Sequence, residues 1–106
     1  ERIKSLLVKA ETKFKELKLT NIVTKHADGN KGWKEQIPFD RIIFTAATKE
    51  ISETIMHHIK EKGIIVAPMI NNDKQILTKF IKKNNKLISE KISDVLFVPN
   101  VSGVID

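Results

Sequence analysis

The sequence contains no cysteine among its 106 residues. This excludes a disulfide framework, a thiolate metal site and a cysteine nucleophile, and it fits a cytoplasmic protein, which is the localisation we expect. No apolar run approaches the roughly 18 residues of a membrane-spanning helix, so we expect no membrane partner. Residues 1–4 begin a helical pattern and not the apolar stretch of a secretory signal.

Arginine and aromatic residues are scarce, although the chain is basic. The net charge is +6, from 19 Lys+Arg against 13 Asp+Glu, but Arg2 and Arg41 are the only arginines. There is no tyrosine and one tryptophan. Nucleic-acid interfaces favour clustered arginines with interleaved aromatic residues. The pattern therefore indicates a solvated lysine-rich surface, and we expect no nucleic-acid partner.

What the sequence does contain is an alternation of helical and strand patterns, which suits one domain over residues 1–106. Residues 2–18 predict the first helix, because apolar residues recur at steps of three and four. This apolar stripe is formed by Ile3, Leu6, Leu7, Ala10, Phe14 and Leu17.

A second amphipathic helix is predicted over residues 49–60. Its apolar face consists of Ile51, Ile55 and Ile59. Thr48 or Ser52 is the candidate N-cap, and Gly63 is the candidate C-cap. The neighbouring His57 and His58 point about 100° apart on a helix and cannot chelate one metal together. We expect surface histidines there and at His26, and no metal site.

Strands are predicted where short apolar or alternating runs lie between turn signals. They cover residues 21–27, 39–46, 64–69, 75–82 and 87–98. The continuous apolar runs of the second and third strands are typical of buried central strands, and Pro68 should close the third. Turns are expected at residues 71–73 and at Asn84-Asn85. The order is α-β-loop-β-α-β-β-β, with residues 101–106 as a tail.

Four motifs follow one another along this pattern. They are Asp28-Gly29…Gly32-Trp33, Pro38-Phe39-Asp40…Ile42-Ile43…Thr45-Ala46-Ala47, Gly63…Val66…Pro68, and Phe97-Val98-Pro99. This series resembles the protein-L-isoaspartate O-methyltransferase family. The first and last motifs depart from the family's GDGxxGW and RFVP at their first residues, Ala27 and Leu96. Ile70 stands where the family favours glycine. The resemblance spans the whole chain but only about the C-terminal half of such an enzyme.

The resemblance implies an α/β fold: a partial Rossmann-like, S-adenosylmethionine-dependent methyltransferase fold that lacks the first strands and the N-terminal region. It also implies the activity, which is methyl transfer from S-adenosylmethionine to the carboxyl group of L-isoaspartyl residues in damaged proteins. This is a repair reaction. The partners would be isoaspartyl-containing proteins or peptides.

The resemblance assigns the cofactor to three residues. Glu1 is similar to the family's acidic residue after the second strand, where a carboxylate can accept from the ribose hydroxyls. Asp28 is similar to the acid that accepts from the adenine amino group, with the Gly29 backbone beside it. From the residues alone, Glu1 also fits an acid at a helix start and Asp28 an ordinary turn residue, so both interpretations stay open.

Three small residues are assigned to the substrate by the same resemblance. Thr45, Ala46 and Ala47 would border the methyl-transfer cavity. No catalytic residue is assigned. An isoaspartyl carboxylate is already ionised and the sulfonium is already electrophilic, so the protein has chiefly to align the two groups and exclude water.

The glycine-rich motif that follows the family's first strand has no counterpart here. We therefore expect a fragment, a split-gene product or a trimmed form that is inactive alone and binds the cofactor weakly or not at all. In the family's sheet, strand 39–46 would be left with an unpaired edge. We expect that edge to pair directly with residues 21–27, to self-associate, or to bind an N-terminal half-chain.

Two other functions stay open at this point. The chain could be a non-catalytic remnant or interaction domain that keeps a methyltransferase-like fold. A nucleic-acid methyltransferase is a weaker third interpretation, because the sequence lacks the Asn/Asp-Pro-Pro-aromatic pattern of amino-group methylation.

Overall fold

Helix α1 spans Lys4–Glu16 in the computed structural model, which describes residues 1–106. The predicted first helix is confirmed, with a later start and an earlier end. Leu17 caps it by donating its backbone N–H to Lys13 O, and Lys18, which follows at a φ of 56°, donates its N–H to Lys15 O. No residue of α1 is buried, so the apolar stripe that predicted the helix stays partly open to solvent.

Helix α1 belongs to the first of two units, which comprises Glu1–Lys31 and Val101–Asp106. The end of the chain pairs with its beginning in this unit. Ile3 and Ile105 form a parallel bridge. The Lys4 N–H donates to Ile105 O, and the Ile105 N–H donates to Arg2 O, both at 2.8 Å.

The predicted strand at residues 21–27 is wrong, because no regular strand forms there. Its backbone pairs with Glu1 through two hydrogen bonds. The Glu1 ammonium donates to Lys25 O at 3.2 Å, and the Ala27 N–H donates to Glu1 O at 3.1 Å. Pairing with one residue does not make a ladder, and Val23 in the middle of the segment is exposed.

The second unit, Gly32–Asn100, holds a mixed four-stranded sheet of order β1-β2-β3-β4. The strands are β1 Phe39–Ile43, β2 Ile59–Asn71, β3 Lys74–Lys83 and β4 Lys86–Val95. Strand β1 is parallel to β2, and the other two pairs are antiparallel. Strand β1 lies at the edge and has no buried residue, so the expectation that it is a buried central strand is wrong. Direct pairing of residues 21–27 with it, the first of the three expected outcomes, does not occur in this sheet.

The two hairpin turns are confirmed. Asn72 follows β2 with a φ of 58°. Asn84 and Asn85 join β3 to β4 with φ values of 51° and 61°. Two successive positive φ values are typical of a type I′ turn, whose twist matches that of the flanking strands, and asparagine tolerates them.

Helix α2 is shorter than predicted and spans Glu53–His58. Ser52, one of the two expected caps, accepts from the Ile55 N–H through its hydroxyl. Strand β2 then begins directly at Ile59, so Gly63 lies inside that strand and is not a C-cap. A Cβ at Gly63 would lie 2.5 Å from Ile59 Cγ1 and 2.7 Å from Lys60 O, which explains the glycine by close approach.

Strand β2 also runs past Pro68, which was expected to close it. Pro68 is fully buried and opposite Leu77 of β3. Below this part of the sheet lies a small core of Ile55, Ile59, Ile65 and Ala67. Partly buried neighbours complete it: Ile42, Phe44, Ile51, Met69, Phe80 and Leu87. No helix of the structure has the length and the apolar character needed to cross a membrane.

Candidate functional site

Asp28 is a buried carboxylate at the end of the segment that pairs with Glu1. Only 7% of it is exposed. Its Oδ2 accepts from the Gly103 N–H and its Oδ1 from the Asn30 N–H, both at 2.9 Å. These two backbone donors, Gly103 more than Asn30, hold the pKa of the Asp28 carboxyl below its usual value, although burial opposes them. The group is therefore an ionised acceptor that is largely shielded from water.

Gly29 begins a short 3₁₀ turn, Gly29–Lys31, directly after Asp28. A Cβ at this position would meet no atom within 4 Å. The backbone beside the Asp28 carboxylate is therefore open to a flat ligand.

Glu1 lies close to Asp28 along the same backbone pairing, because its carbonyl accepts from Ala27, the residue that precedes Asp28. Its side chain is exposed, and Oε1 accepts from the Ile3 N–H at 2.8 Å. This bond suits an acid at the start of α1. The second carboxylate oxygen keeps its capacity to accept from other hydroxyl or amide groups.

The substrate residues predicted from sequence belong to the second unit and differ in exposure. Thr45 is exposed and Ala46 is half-buried. Ala47 is 1% exposed, its N–H donates to Val98 O and its carbonyl accepts from the Asn100 N–H. The side chains of Thr45 and Ala46 therefore remain candidates for a cavity wall, whereas the Ala47 backbone holds the segment after β1 against residues 98–100.

Two histidines differ from the sequence-based expectation. His58 was expected at the surface but is 7% exposed, because it shares the sheet-facing side of α2 with Ile55. Its Nδ1 is buried without a hydrogen-bond partner and lies against Gly32. His26 is also partly buried, and its Nε2 lies 3.0 Å from Arg2 O and 2.9 Å from Ile105 O. His57 is exposed, as predicted.

The side chains that could ligate a metal do not converge. No group of three or more His, Asp or Glu residues in the structure has the arrangement of a metal site.

Comparison with known proteins identifies the family. The family model described as Protein-L-isoaspartate(D-aspartate) O-methyltransferase (PCMT) matches residues 1–105. The chain belongs to this family. A protein-L-isoaspartate O-methyltransferase of Helicobacter pylori strain J99 is 45% identical over 105 residues, which are 98% of this chain and 50% of the relative. One from Maricaulis maris is 41% identical over 103 residues, 97% of this chain and 48% of the relative.

Solved structures of the PCMT family share the fold. A Plasmodium falciparum protein described as a PCMT enzyme, in complex with S-adenosyl-L-homocysteine, superposes with a TM-score of 0.83 at 27% identity. The similarity covers 95% of this chain and 50% of that one. A second protein-L-isoaspartate O-methyltransferase gives a TM-score of 0.79 at 26% identity, over 85% of this chain and 29% of that one. The predicted partial Rossmann-like methyltransferase fold is thereby confirmed. The chain spans about half the length of the curated relatives it matches.

Proposed function

We propose that this chain forms the adenosine-binding part of an enzyme that transfers a methyl group from S-adenosylmethionine to the carboxyl group of L-isoaspartyl residues in damaged proteins. The observation that carries the proposal is the fold shared with a relative solved with S-adenosyl-L-homocysteine, together with a family match over residues 1–105. The chain alone, at half the length of its relatives, is expected to be inactive.

The residues present fit the cofactor. The buried Asp28 carboxylate is ionised, and each of its oxygens accepts one backbone N–H. A carboxylate has about four acceptor positions, so two are left for an adenine amino group. Gly29 leaves the neighbouring space open, and the exposed Glu1 carboxylate can accept from ribose hydroxyls. The burial of Asp28 favours this role over a non-catalytic remnant, for which an exposed turn acid would have been expected.

The substrate side of the proposal requires little acid–base chemistry. When bound, S-adenosylmethionine supplies an electrophilic methyl group, and an isoaspartyl carboxylate is a nucleophile without deprotonation at neutral pH. The chain's own contribution is therefore to hold the adenosine through Asp28, Gly29 and Glu1. Thr45 and Ala46 are small enough to leave room for a peptide at the end of β1.

Binding of S-adenosyl-L-homocysteine tests this function. We expect weak binding to the chain alone and stronger binding after co-expression with the N-terminal half of the Helicobacter pylori relative. Replacing Asp28 by Asn should raise the dissociation constant about tenfold, because a charge-assisted hydrogen bond becomes a neutral one. Isothermal titration calorimetry measures the change.

The control for that experiment is Asp40→Asn. Asp40 is another aspartate of the chain, but its side chain is 73% exposed and its carboxylate pairs with Lys60 at 2.9 Å. This variant should bind the ligand as the wild type does. Equal affinity of Asp28→Asn and wild-type protein would contradict the assignment of Asp28, and turnover of an isoaspartyl peptide by the chain alone would contradict its predicted inactivity.

We also propose that an N-terminal half-chain covers the open edge of β1. Strand β1 pairs with β2 alone. The Phe44 N–H donates to Val66 O, so the alternation of a parallel ladder directs the backbone groups of Arg41 and Ile43 to the outer edge. Ile43 is 73% exposed. An exposed edge of this kind favours pairing with another strand.

The sheet face opposite α2 supports the same partner. Ile64 is paired with Ile81, and Ile81 with Ile88, so these three isoleucines form one row across the sheet. Ile88 is exposed. Antiparallel strands often leave one sheet face to solvent, but that face is then polar, so a row of isoleucines on it favours a partner that covers it. A polypeptide equivalent to the other half of the relatives would cover this row and pair with β1.

Analytical ultracentrifugation after the same co-expression tests the partner. We expect a 1:1 complex, and we expect Ile43→Lys to weaken it, because the substitution places a charge at the paired edge. Val8→Lys on α1 is the control, since it adds the same charge at another exposed apolar position. If the chain self-associates instead, a second copy of this chain covers the β1 edge in place of the half-chain. A folded chain that stays monomeric and does not bind the half-chain would contradict both the half-chain and a second copy as partners of β1.

A further inference from the structure

We infer that the C-terminal segment Val101–Asp106, held by His26, is a positioning device for the Asp28 carboxylate. The inference rests on the proposed function, because only that function makes Asp28 an acceptor for adenine. The contact between the segment and Asp28 does not depend on the proposed function. All the residues involved lie in the first unit of the chain.

The segment contacts Asp28 through one backbone group. The Gly103 N–H donates to Asp28 Oδ2 at 2.9 Å across 75 positions of sequence. Gly103 has a φ of +84°, a conformation that glycine adopts at little cost. The donor is therefore aimed at the carboxylate by a backbone conformation that most other residues would resist.

The segment is in turn tied to the beginning of the chain. Ile105 bonds on both sides, to Arg2 O through its N–H and to the Lys4 N–H through its carbonyl. These two bonds fix the register of the segment, with Gly103 two residues before the bridge. Because Arg2 follows Glu1 directly, the same ladder links the segment to the other acid that is proposed to bind adenosine.

His26 connects these two backbones. Its Nε2 lies within 3.0 Å of both Arg2 O and Ile105 O. Both partners are carbonyl oxygens, which only accept, so Nε2 must carry a hydrogen and donate to both. Asp106 Oδ1 lies 3.9 Å from Nδ1 but its side chain is 94% exposed, so that pair adds little.

The arrangement predicts what the segment does for Asp28. The hydrogen bond from the Gly103 N–H lowers the pKa of the Asp28 carboxyl more than any other interaction does. Without the segment, burial and the Asn30 donor remain, so the pKa of the Asp28 carboxyl should rise. The carboxylate would also lose one of the two hydrogen bonds that fix its orientation. An acceptor with a free torsion binds an amino group less well than one that is held.

The first test is an NMR titration of the Asp28 side-chain carboxyl carbon in the whole chain and in two kinds of variant. A chain that ends at Ser102 lacks the Gly103 donor, and we expect a higher Asp28 pKa. His26→Ala should raise it in the same direction by a smaller amount. His26→Gln should restore it, because the Gln amide can donate from nearly the position of Nε2. His57→Ala is the matched control, since His57 is exposed.

The second test titrates S-adenosyl-L-homocysteine into the same variants, co-expressed with the half-chain as above. We expect the dissociation constant to rise about tenfold for the chain ending at Ser102. It should rise less for His26→Ala and recover in His26→Gln. Thermal unfolding followed by circular dichroism shows whether each variant folds, and the His26 pair decides the question if the shortened chain does not.

The two tests separate this inference from the proposed function. An Asp28 pKa that is the same in all the variants overturns the inference, whatever binds. Ligand binding that is sensitive to Asp28→Asn but not to loss of the segment or of His26 also overturns it, and leaves the proposed function standing. Absence of ligand binding in every form defeats the proposed function, while a shifted Asp28 pKa still supports the role of the segment.

Discussion

Replacement of Ile65 by Ala is expected to lower the free energy of unfolding by about 2–5 kcal/mol, the range typical of a buried isoleucine. Ile65 has no exposed surface. It lies on β2 between Ile42 of β1 and Phe80 of β3, and below it are Ile55 and Ile59. Truncation removes three carbons from a site that is enclosed by neighbouring strands and a helix, so the cavity has little room to collapse.

The effect should be large relative to the total stability. The fully buried apolar residues are few, and a domain of this size is stabilised by only about 5–15 kcal/mol. Urea unfolding followed by circular dichroism gives the change in midpoint and in m-value. The control is Ile43→Ala, one residue from Ile42 on the same sheet, where the side chain is 73% exposed and we expect a change below about 1 kcal/mol. Equal losses for the two variants would mean that the sheet does not pack as described.

The sheet could be predicted from sequence where a local pattern determines the structure. The apolar run Ile42-Ile43-Phe44 indicated β1, and Asn84-Asn85 indicated the turn between β3 and β4. In both cases neighbouring residues decide the outcome, through strand-forming side chains in one and backbone dihedral angles in the other. The burial expected for the apolar run is wrong, because β1 lies at the edge of the sheet and has no buried residue. Helix α1 was predictable for the same reason, although the pattern did not reveal that its apolar stripe is left unburied.

The errors arise where distant residues decide the structure. Residues 21–27 have the composition of a strand, but in this structure their backbone pairs with Glu1 without forming a regular strand, which no local pattern reveals. Gly63 resembles a C-cap in sequence. It is placed inside β2 because α2 ends early at His58. His58 follows an apolar position by three residues, and that spacing was the one signal that could have indicated burial.

In the candidate site, too, local motifs indicated some features, whereas contacts between distant residues could not be predicted. The resemblance proposed Asp28 and Gly29, and the structure places there a buried carboxylate that accepts from two backbone N–H groups beside an open Gly29; its role toward the cofactor stays a proposal. The Gly103 donor and the His26 bridge could not be predicted, because each contact joins residues more than 20 positions apart. A glycine within the last residues was the only local sign of an unusual backbone there.

Replacement of Gly32 by Ala is the second substitution with a large expected effect, and it tests the placement of His58. Gly32 has a φ of +67°, and an added Cβ would lie 2.2 Å from His58 Nδ1 and 2.5 Å from Cε1. The left-handed conformation costs an alanine about 1–2 kcal/mol. Overpacking against a buried ring adds about 1–3 kcal/mol. We expect a total loss of roughly 2–5 kcal/mol in urea unfolding.

A double-mutant cycle separates the two causes. In a His58→Ala background the ring is absent, so Gly32→Ala should cost only the backbone strain, and the cycle should show a coupling of at least about 1 kcal/mol. Gly29→Ala is the control, because an added Cβ there meets no atom within 4 Å. If Gly32→Ala costs the same with and without the imidazole, the ring does not lie against Gly32. A coupled result would mean that the buried His58 ring, and not backbone conformation alone, requires glycine in the Gly32-Trp33 motif of this chain.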